Sequence, residues 1–87
     1  MTVADQIHQC LRALSPDSVE LIDESAKHAG HAGARDGGGH YRLRIVATCF
    51  NGLGQMARHR MVYDALGALM RREIHALSIS AFSPSEL

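Results

Sequence analysis

The chain has 87 residues, with nine lysines and arginines against nine aspartates and glutamates, so its formal net charge at neutral pH is zero. Apolar residues make up 46% of the chain and charged residues 21%, which is typical of a folded protein and excludes a disordered acidic or basic tail. No apolar run approaches the roughly 20 residues that cross a bilayer, and the N-terminus has no signal- or transit-peptide pattern. We therefore expect one domain over residues 1–87, without a membrane partner and in the cytoplasm.

Hydrophobic periodicity predicts the element order α-β-β-α-β, with a break possible near the start of the second helix. The predicted helices are residues 2–14 and 54–72, and the predicted strands are residues 19–24, 40–48 and 74–81. Thr2 is a good N-cap for the first helix, and Pro16 follows its end. The segment Ser83-Pro84-Ser85-Glu86 has the cap, proline and glutamate of a helix start. Strands and helices in this order predict an α+β domain.

A long loop with histidines separates the first two predicted strands. Residues 25–39 contain five of the eight glycines and no periodic apolar residue, and loops of this length are often functional. His28 and His31 have a spacing that can chelate a metal ion, His40 lies at the far end of the loop, and His75 begins the third strand. An H-x-x-H pair alone is a weak signal, because solvated loop histidines have the same spacing. A zinc hydrolase is not favoured, since no motif places a water-activating base beside these residues.

One concentration of basic residues, Arg58, Arg60, Arg71 and Arg72, could contact the phosphates of a nucleic acid. At 100° per residue, however, these arginines lie on both flanks of the apolar helix stripe and form no single patch. The members of this stripe are Val62, Tyr63, Leu66, Leu69 and Met70, and His59 falls within it if the helix is continuous there. Asp64 follows Arg60 by one turn, so we expect an ion pair between them. Zero net charge also argues against strong nonspecific DNA binding, which depends on released counterions.

Other chemical signals are weak. The residues from Gly52 to Ala57 fit G-x-G-x-x-A, but the chain is too short for a dinucleotide-binding fold and lacks its acidic residue at the end of the next strand. Two cysteines make neither a disulfide framework nor a zinc ribbon. We expect Cys10 in the core, Cys49 partly exposed, and His59 in the core or at a helix junction.

Four segments together carry a family resemblance. They are Asp23-Glu24-Ser25 followed by His28; His40-Tyr41-Arg42-Leu43; Phe50-x-Gly52 followed by Arg58-His59-Arg60-x-Val62-Tyr63-x-x-Leu66; and Ile74-His75-Ala76-Leu77-Ser78-Ile79. In identity, order and spacing they resemble the BolA-like proteins over nearly the whole chain. The resemblance implies a class II KH-like α-β-β-α-α-β fold, with a three-stranded mixed sheet and helices on one face.

The resemblance also implies a function without catalysis. BolA-like proteins pair with monothiol CGFS glutaredoxins, and such a pair can hold a bridging [2Fe-2S] cluster that the glutaredoxin cysteine and glutathione ligate on one side. By position, the strand ligand is His75 and the loop ligand is His28, with His31 a second candidate in the loop. Alone, the chain is expected to be a monomer or a weak homodimer.

The alternative function is that of a DNA-binding transcriptional regulator. Some BolA-like proteins are described as such regulators, with the segment from Arg58 to Leu66 implicated. In this hypothesis Arg58, Arg60, Arg71 and Arg72 contact DNA. A regulator should present a contiguous basic face, whereas a cluster-binding partner needs His75 and the loop histidines to meet at one end of the sheet.

Overall fold

The computed structural model describes residues 1–25 and 39–87, which contain two α-helices and three strands. In chain order these are α1, Val3–Leu11; β1, Ser18–Asp23; β2, Gly39–Val46; α2, Gln55–Leu66; and β3, Ile74–Phe82. Short 3-10 turns lie at Arg12–Leu14, Thr48–Phe50, Gly67–Arg71 and Pro84–Glu86. This arrangement confirms the predicted α+β class.

The first helix begins as its sequence predicts. The Thr2 hydroxyl accepts the Asp5 N–H at 3.1 Å, and the Asp5 carboxylate accepts the Thr2 N–H at 3.1 Å, which is a complete capping box. The helix is shorter than predicted, however, because the chain tightens into a 3-10 turn after Leu11 and then reverses at Ser15, whose φ is 48°. Ile7 and Leu11 are fully buried, so α1 presents its apolar stripe to the core.

The three strands form one mixed sheet in the order β1-β2-β3. β1 is antiparallel to β2, with Leu21 opposite Leu43, and β3 is parallel to β2, with Leu43 opposite Ile79. β2 ends at Val46, two residues before its predicted end, because Thr48–Phe50 turns to bury the Phe50 ring completely in the core.

The core lies between one face of the sheet and both helices. Its largest fully buried side chains are Ile7, Leu11, Leu43, Ile45, Phe50, Val62 and Leu66. On the other face of β2, Arg42 and Arg44 are exposed, and the Arg44 guanidinium lies 5.2 Å from the centre of the Phe82 ring. The prediction that the helices cover one face is therefore confirmed.

The second helix is interrupted where the sequence pattern predicts continuity. Gly67 has φ 56° and ψ −126°, a conformation that side-chain-bearing residues rarely adopt, so the α-helix ends at Leu66. The predicted stripe continues as the 3-10 turn Gly67–Arg71, in which Leu69 and Met70 pack against the core. Tyr63, a predicted member of the stripe, has 41% of its surface exposed.

Candidate functional site

The start of β2, the start of β3 and the end of β1 meet at one end of the sheet. This follows from the pairing directions, which place Asp23 opposite Tyr41 and Gly39 opposite Ile74. We name this region the histidine end and define it by Asp23, Glu24, Ser25, His40 and His75. Ser25 and Gly39, the residues that flank segment 26–38, both lie here.

Hydrogen bonds fasten β1 to β2 at the histidine end. Asp23 Oδ1 accepts the Ser25 N–H at 2.9 Å, and Ser25 Oγ in turn accepts the His40 N–H at 3.0 Å. The His40 carbonyl accepts the Glu24 N–H at 2.8 Å. Hydrogen bonds from the side chain and backbone of Ser25 lower the pKa of Asp23, so this carboxylate stays ionised at neutral pH.

The imidazoles of His40 and His75 are in contact, with ring centres 5.0 Å apart and ring planes at 45°. The strand register explains this contact. Gly39 pairs with Ile74 and His40 pairs with Ala76, so His75 is an extra residue in a bulge without an opposite residue on β2. Bulges redirect side chains that strict alternation would place on opposite faces. His75 is exposed, whereas the His40 residue is half-buried and its Nε2 has almost no contact with solvent.

Polar and apolar residues surround this pair. Glu24 forms an ion pair with Arg42 at 3.3 Å, with its own side chain 15% exposed. A shallow cavity of about 280 Å³ is lined by Glu24, His40, Tyr41, Ala76, Leu77 and Ser78. Within residues 1–25 and 39–87, no three His, Cys, Asp or Glu side chains converge to hold a metal ion. The described part of the histidine end therefore offers an imidazole pair and no complete metal site.

The predicted metal ligands divide into two groups. His75 lies at the start of β3 as predicted, and the structure brings it against His40. His28 and His31 lie outside the described residues. The sequence placed His40 among the candidate metal-binding histidines but did not predict its contact with His75, although parallel pairing of the last two predicted strands would have placed their first residues together.

Both cysteines of the chain lie at the opposite end of the sheet. Cys49 follows the end of the eight-residue β2, so it is roughly 20 Å or more from the histidine end. Its exposed thiol donates to the Leu14 carbonyl at 3.6 Å. Cys10 is half-buried against the core near the end of α1, a few residues before Leu14. These placements agree with the predictions, and they leave no thiolate of this chain near His75.

Arg58 is a structural residue, which corrects its predicted position on the helix surface. Its side chain is only 7% exposed. The guanidinium donates to the carbonyls of Leu53 at 2.8 Å and Ala81 at 3.0 Å, and to both carboxylate oxygens of Glu86 at 2.6 and 3.2 Å. Glu86 forms a capping box with Ser83, and this turn brings it back to α2. Sequence reasoning missed the pair because Arg58 and Glu86 are 28 positions apart.

The remaining candidate residues of the nucleic-acid hypothesis are exposed. Arg60, Arg71 and Arg72 all lie at the surface. Among the described ion pairs, the predicted one between Arg60 and Asp64 is absent. His59 is half-buried, as its position in the stripe predicts, but its buried Nε2 has no hydrogen-bond partner among the residues that the structure places.

Comparison with known proteins decides the family. The family model described as "BolA-like protein" matches residues 11–86. This chain belongs to the BolA-like family. The match confirms the resemblance inferred from the four sequence segments, and it includes the histidine end.

Two curated relatives and a solved structure support the assignment of this BolA-like chain. SufE-like protein 1, chloroplastic/mitochondrial, of Arabidopsis thaliana is 42% identical over 81 residues, which is 87% of this chain and 22% of that protein. BolA-like protein 1 of Mus musculus is 39% identical over 75 residues, or 86% of this chain and 53% of the relative. The structure of the BolA domain of SufE1 from Arabidopsis thaliana superposes with a TM-score of 0.85 at 37% identity, covering 100% of this chain and 98% of that domain.

The chain thus spans about a fifth and about half of the lengths of these two curated relatives. No helix in the described ranges is long and apolar enough to cross a membrane. The name of the Arabidopsis relative places that protein in chloroplasts and mitochondria, so a cytoplasmic location for this chain stays a prediction.

Proposed function

We propose that this BolA-like chain is a non-enzymatic partner of a monothiol CGFS glutaredoxin, and that the two proteins share a [2Fe-2S] cluster with glutathione. The observation that carries the proposal is the position of His75. This exposed imidazole projects from a bulge at the histidine end, beside the residues that flank segment 26–38. In the proposal, His75 ligates the cluster from this chain.

The second ligand of this chain comes from segment 26–38. His28 follows Ser25 by three residues and His31 follows it by six, and Ser25 is hydrogen-bonded to His40 at the histidine end. Because so few residues separate these two histidines from Ser25, their sequence positions support a second cluster ligand from segment 26–38 beside His75. We propose His28 as that ligand and His31 as its nearest substitute.

The cysteine positions support a shared cluster. Iron-sulfur clusters are usually held by thiolates, yet both thiols of this chain lie at the opposite end of the sheet. Thiolate ligands must therefore come from the partner and from glutathione. Replacing thiolates with neutral imidazoles on one iron also lowers the negative charge and raises the reduction potential, as in Rieske centres.

The structure favours this proposal over a DNA-binding regulator. The buried guanidinium of Arg58 is committed to Glu86 and two carbonyls, which removes one of the four cations of that hypothesis. Three exposed arginines on a chain of zero net charge should bind DNA weakly and lose it steeply with added salt. Sequence-selective binding at physiological salt in a mobility-shift assay would instead favour the regulator.

The test is a titration of the purified chain into a cluster-loaded CGFS glutaredoxin, followed by visible absorption and circular dichroism. We expect a colourless isolated chain and a coloured complex with a new spectrum. His75→Ala should abolish that spectrum, His28→Ala should weaken it, and His31→Ala should change it least. His8→Ala is the matched control, because His8 is exposed on α1 outside the histidine end.

Association without the cluster should survive in every variant and is measured by calorimetry. A His75→Ala complex with the wild-type spectrum and cluster lifetime would exclude His75 as a ligand. An intact cluster on the isolated chain, without glutaredoxin or glutathione, would contradict the shared site.

A further inference from the structure

We propose that His40 is a positioning residue for His75. In this proposal, the imidazole of His40 packs against the imidazole of His75 and restricts it to one rotamer before any metal binds. The consequence for the cluster rests on the function proposed above, whereas the restriction itself is a property of the isolated chain.

The location of His75 explains why it needs such a support. It is the extra residue of the bulge, it is exposed, and it lies one residue from the beginning of β3. A side chain in this environment ordinarily exchanges among staggered rotamers. Ordering a mobile ligand on binding weakens affinity by about two- to tenfold, and prior restriction avoids that loss.

His40 is well placed to provide the support because its own backbone is fixed. Its N–H donates to Ser25 Oγ at 3.0 Å, and its carbonyl accepts from Glu24 at 2.8 Å. Ser25 is held in turn by the Asp23 carboxylate at 2.9 Å. Glu24 and Ser25, the two residues that follow β1, therefore hold the backbone of His40, and Asp23 at the end of β1 holds Ser25.

The ring geometry fits a packing contact. A separation of 5.0 Å between ring centres, with a tilt of 45°, falls within the range in which aromatic rings attract one another. The His40 residue is half-buried and its Nε2 has almost no contact with solvent, so neighbouring atoms limit the freedom of its ring to move away. The His40 ring thus provides a surface against which the more exposed His75 ring packs.

Two substitutions separate positioning from direct metal ligation. His40→Phe keeps an aromatic ring in the same place but supplies no nitrogen ligand, whereas His40→Leu fills the space without a ring. If His40 positions His75 by ring packing, His40→Phe should behave like the wild type and His40→Leu should not. If His40 is itself a ligand, both variants should fail.

The first readout uses the isolated, metal-free chain. Three-bond scalar couplings from the backbone nitrogen and carbonyl carbon of His75 to its Cγ report its χ1 rotamer by NMR. We expect couplings of a single rotamer in the wild type and in His40→Phe, and averaged couplings in His40→Leu. Averaged couplings in the wild type, or a single rotamer in a folded His40→Leu chain, would overturn the proposal.

A second readout uses the complex with cluster-loaded glutaredoxin. We expect His40→Leu to weaken cluster-dependent association by about two- to tenfold and His40→Phe to restore it, with His8→Ala as the control. Loss of association in His40→Phe, in a chain with wild-type His75 couplings, would indicate that His40 is itself a ligand and would overturn its positioning role in cluster binding. If the couplings behave as expected but the wild-type complex holds no cluster, the positioning stands and the proposed function fails.

Unfolding midpoints identify any variant that does not fold. If His40→Leu does not fold, His40→Gln replaces it as the variant without an aromatic ring.

Discussion

Replacing Arg58 with methionine should strongly destabilise the fold. The substitution keeps an unbranched apolar stem of similar length in a site where the native side chain is 7% exposed. It removes the guanidinium and, with it, the donors to the Leu53 carbonyl, the Ala81 carbonyl and the Glu86 carboxylate. The prediction concerns stability because the described partners of Arg58 are parts of this chain's own fold.

The expected magnitude follows from those partners. A buried acceptor that loses its donor costs about 1–3 kcal/mol. Arg58→Met removes the donor from the Ala81 carbonyl, in a buried bond, and from the Leu53 carbonyl, in a partly buried bond. The Glu86 side chain is 43% exposed, so water can solvate its carboxylate when the guanidinium is removed, and the loss of this ion pair adds less to the destabilisation. We expect a loss of about 3 kcal/mol in the free energy of unfolding, a large part of the roughly 4–13 kcal/mol that a domain of this size has.

Urea and thermal unfolding measure this loss, with Arg60→Met as the matched control. Arg60 is exposed two residues along the same helix and makes no ion pair in the described ranges, so its substitution should change stability by less than about 0.5 kcal/mol. For a domain of this length, a 3 kcal/mol loss lowers the melting temperature by roughly 12–24 °C. Equal stabilities of the Arg58→Met and Arg60→Met variants would refute the structural role of Arg58.

Two further predictions concern other contacts of the fold. Hydrogen bonds from Arg58 and then from Ser83 lower the pKa of Glu86 from its ordinary 4.5 to about 2, so its stabilising contribution is complete above pH 4.5 and is lost as the pH falls toward 2. Glu86→Gln should therefore be less stable than the wild type at pH 7, and thermal melts should show the difference shrinking over that acid range; a constant difference would contradict the assignment. Gly39→Ala should destabilise by about 1–3 kcal/mol in urea unfolding, because the new Cβ would lie 2.8 Å from Tyr41 Oη, whereas Gly54→Ala meets open space and should cost well under 1 kcal/mol.

Local sequence signals predicted the features of the fold that depend on neighbouring residues. Thr2 is the predicted N-cap and forms a capping box with Asp5, three positions later, and Ser83 and Glu86 form the capping box predicted for the final turn. The alternation of apolar residues predicted all three strands, because a strand in a sheet with one buried face turns every second side chain toward the core. The sequence did not predict the end of α2, because the helical spacing of apolar residues continues past Gly67 whereas the helical backbone ends at Leu66.

Features that depend on distant residues could not be predicted in this way. The partner of Arg58 depends on how β3 returns beneath α2, and helical periodicity carries no information about that path. The contact between His40 and His75 depends on one extra residue in the register of parallel strands, which alternation alone does not reveal. The choice between His28 and His31 stays a prediction from family resemblance.

The two ends of the sheet should act independently, and this can be tested directly. Ala81, whose carbonyl accepts from Arg58, lies six residues after His75 on β3, a distance of about 20 Å along an extended strand. Substitutions more than about 10 Å apart without shared partners usually have additive effects on stability. A double-mutant cycle of Arg58→Met and His75→Ala should therefore show a coupling energy within about 0.5 kcal/mol of zero. Arg58→Met should also leave the His75 rotamer couplings unchanged below its melting temperature. A larger coupling energy, or altered couplings in the folded single variant, would show that the contacts of Arg58 help to set the geometry of the histidine end.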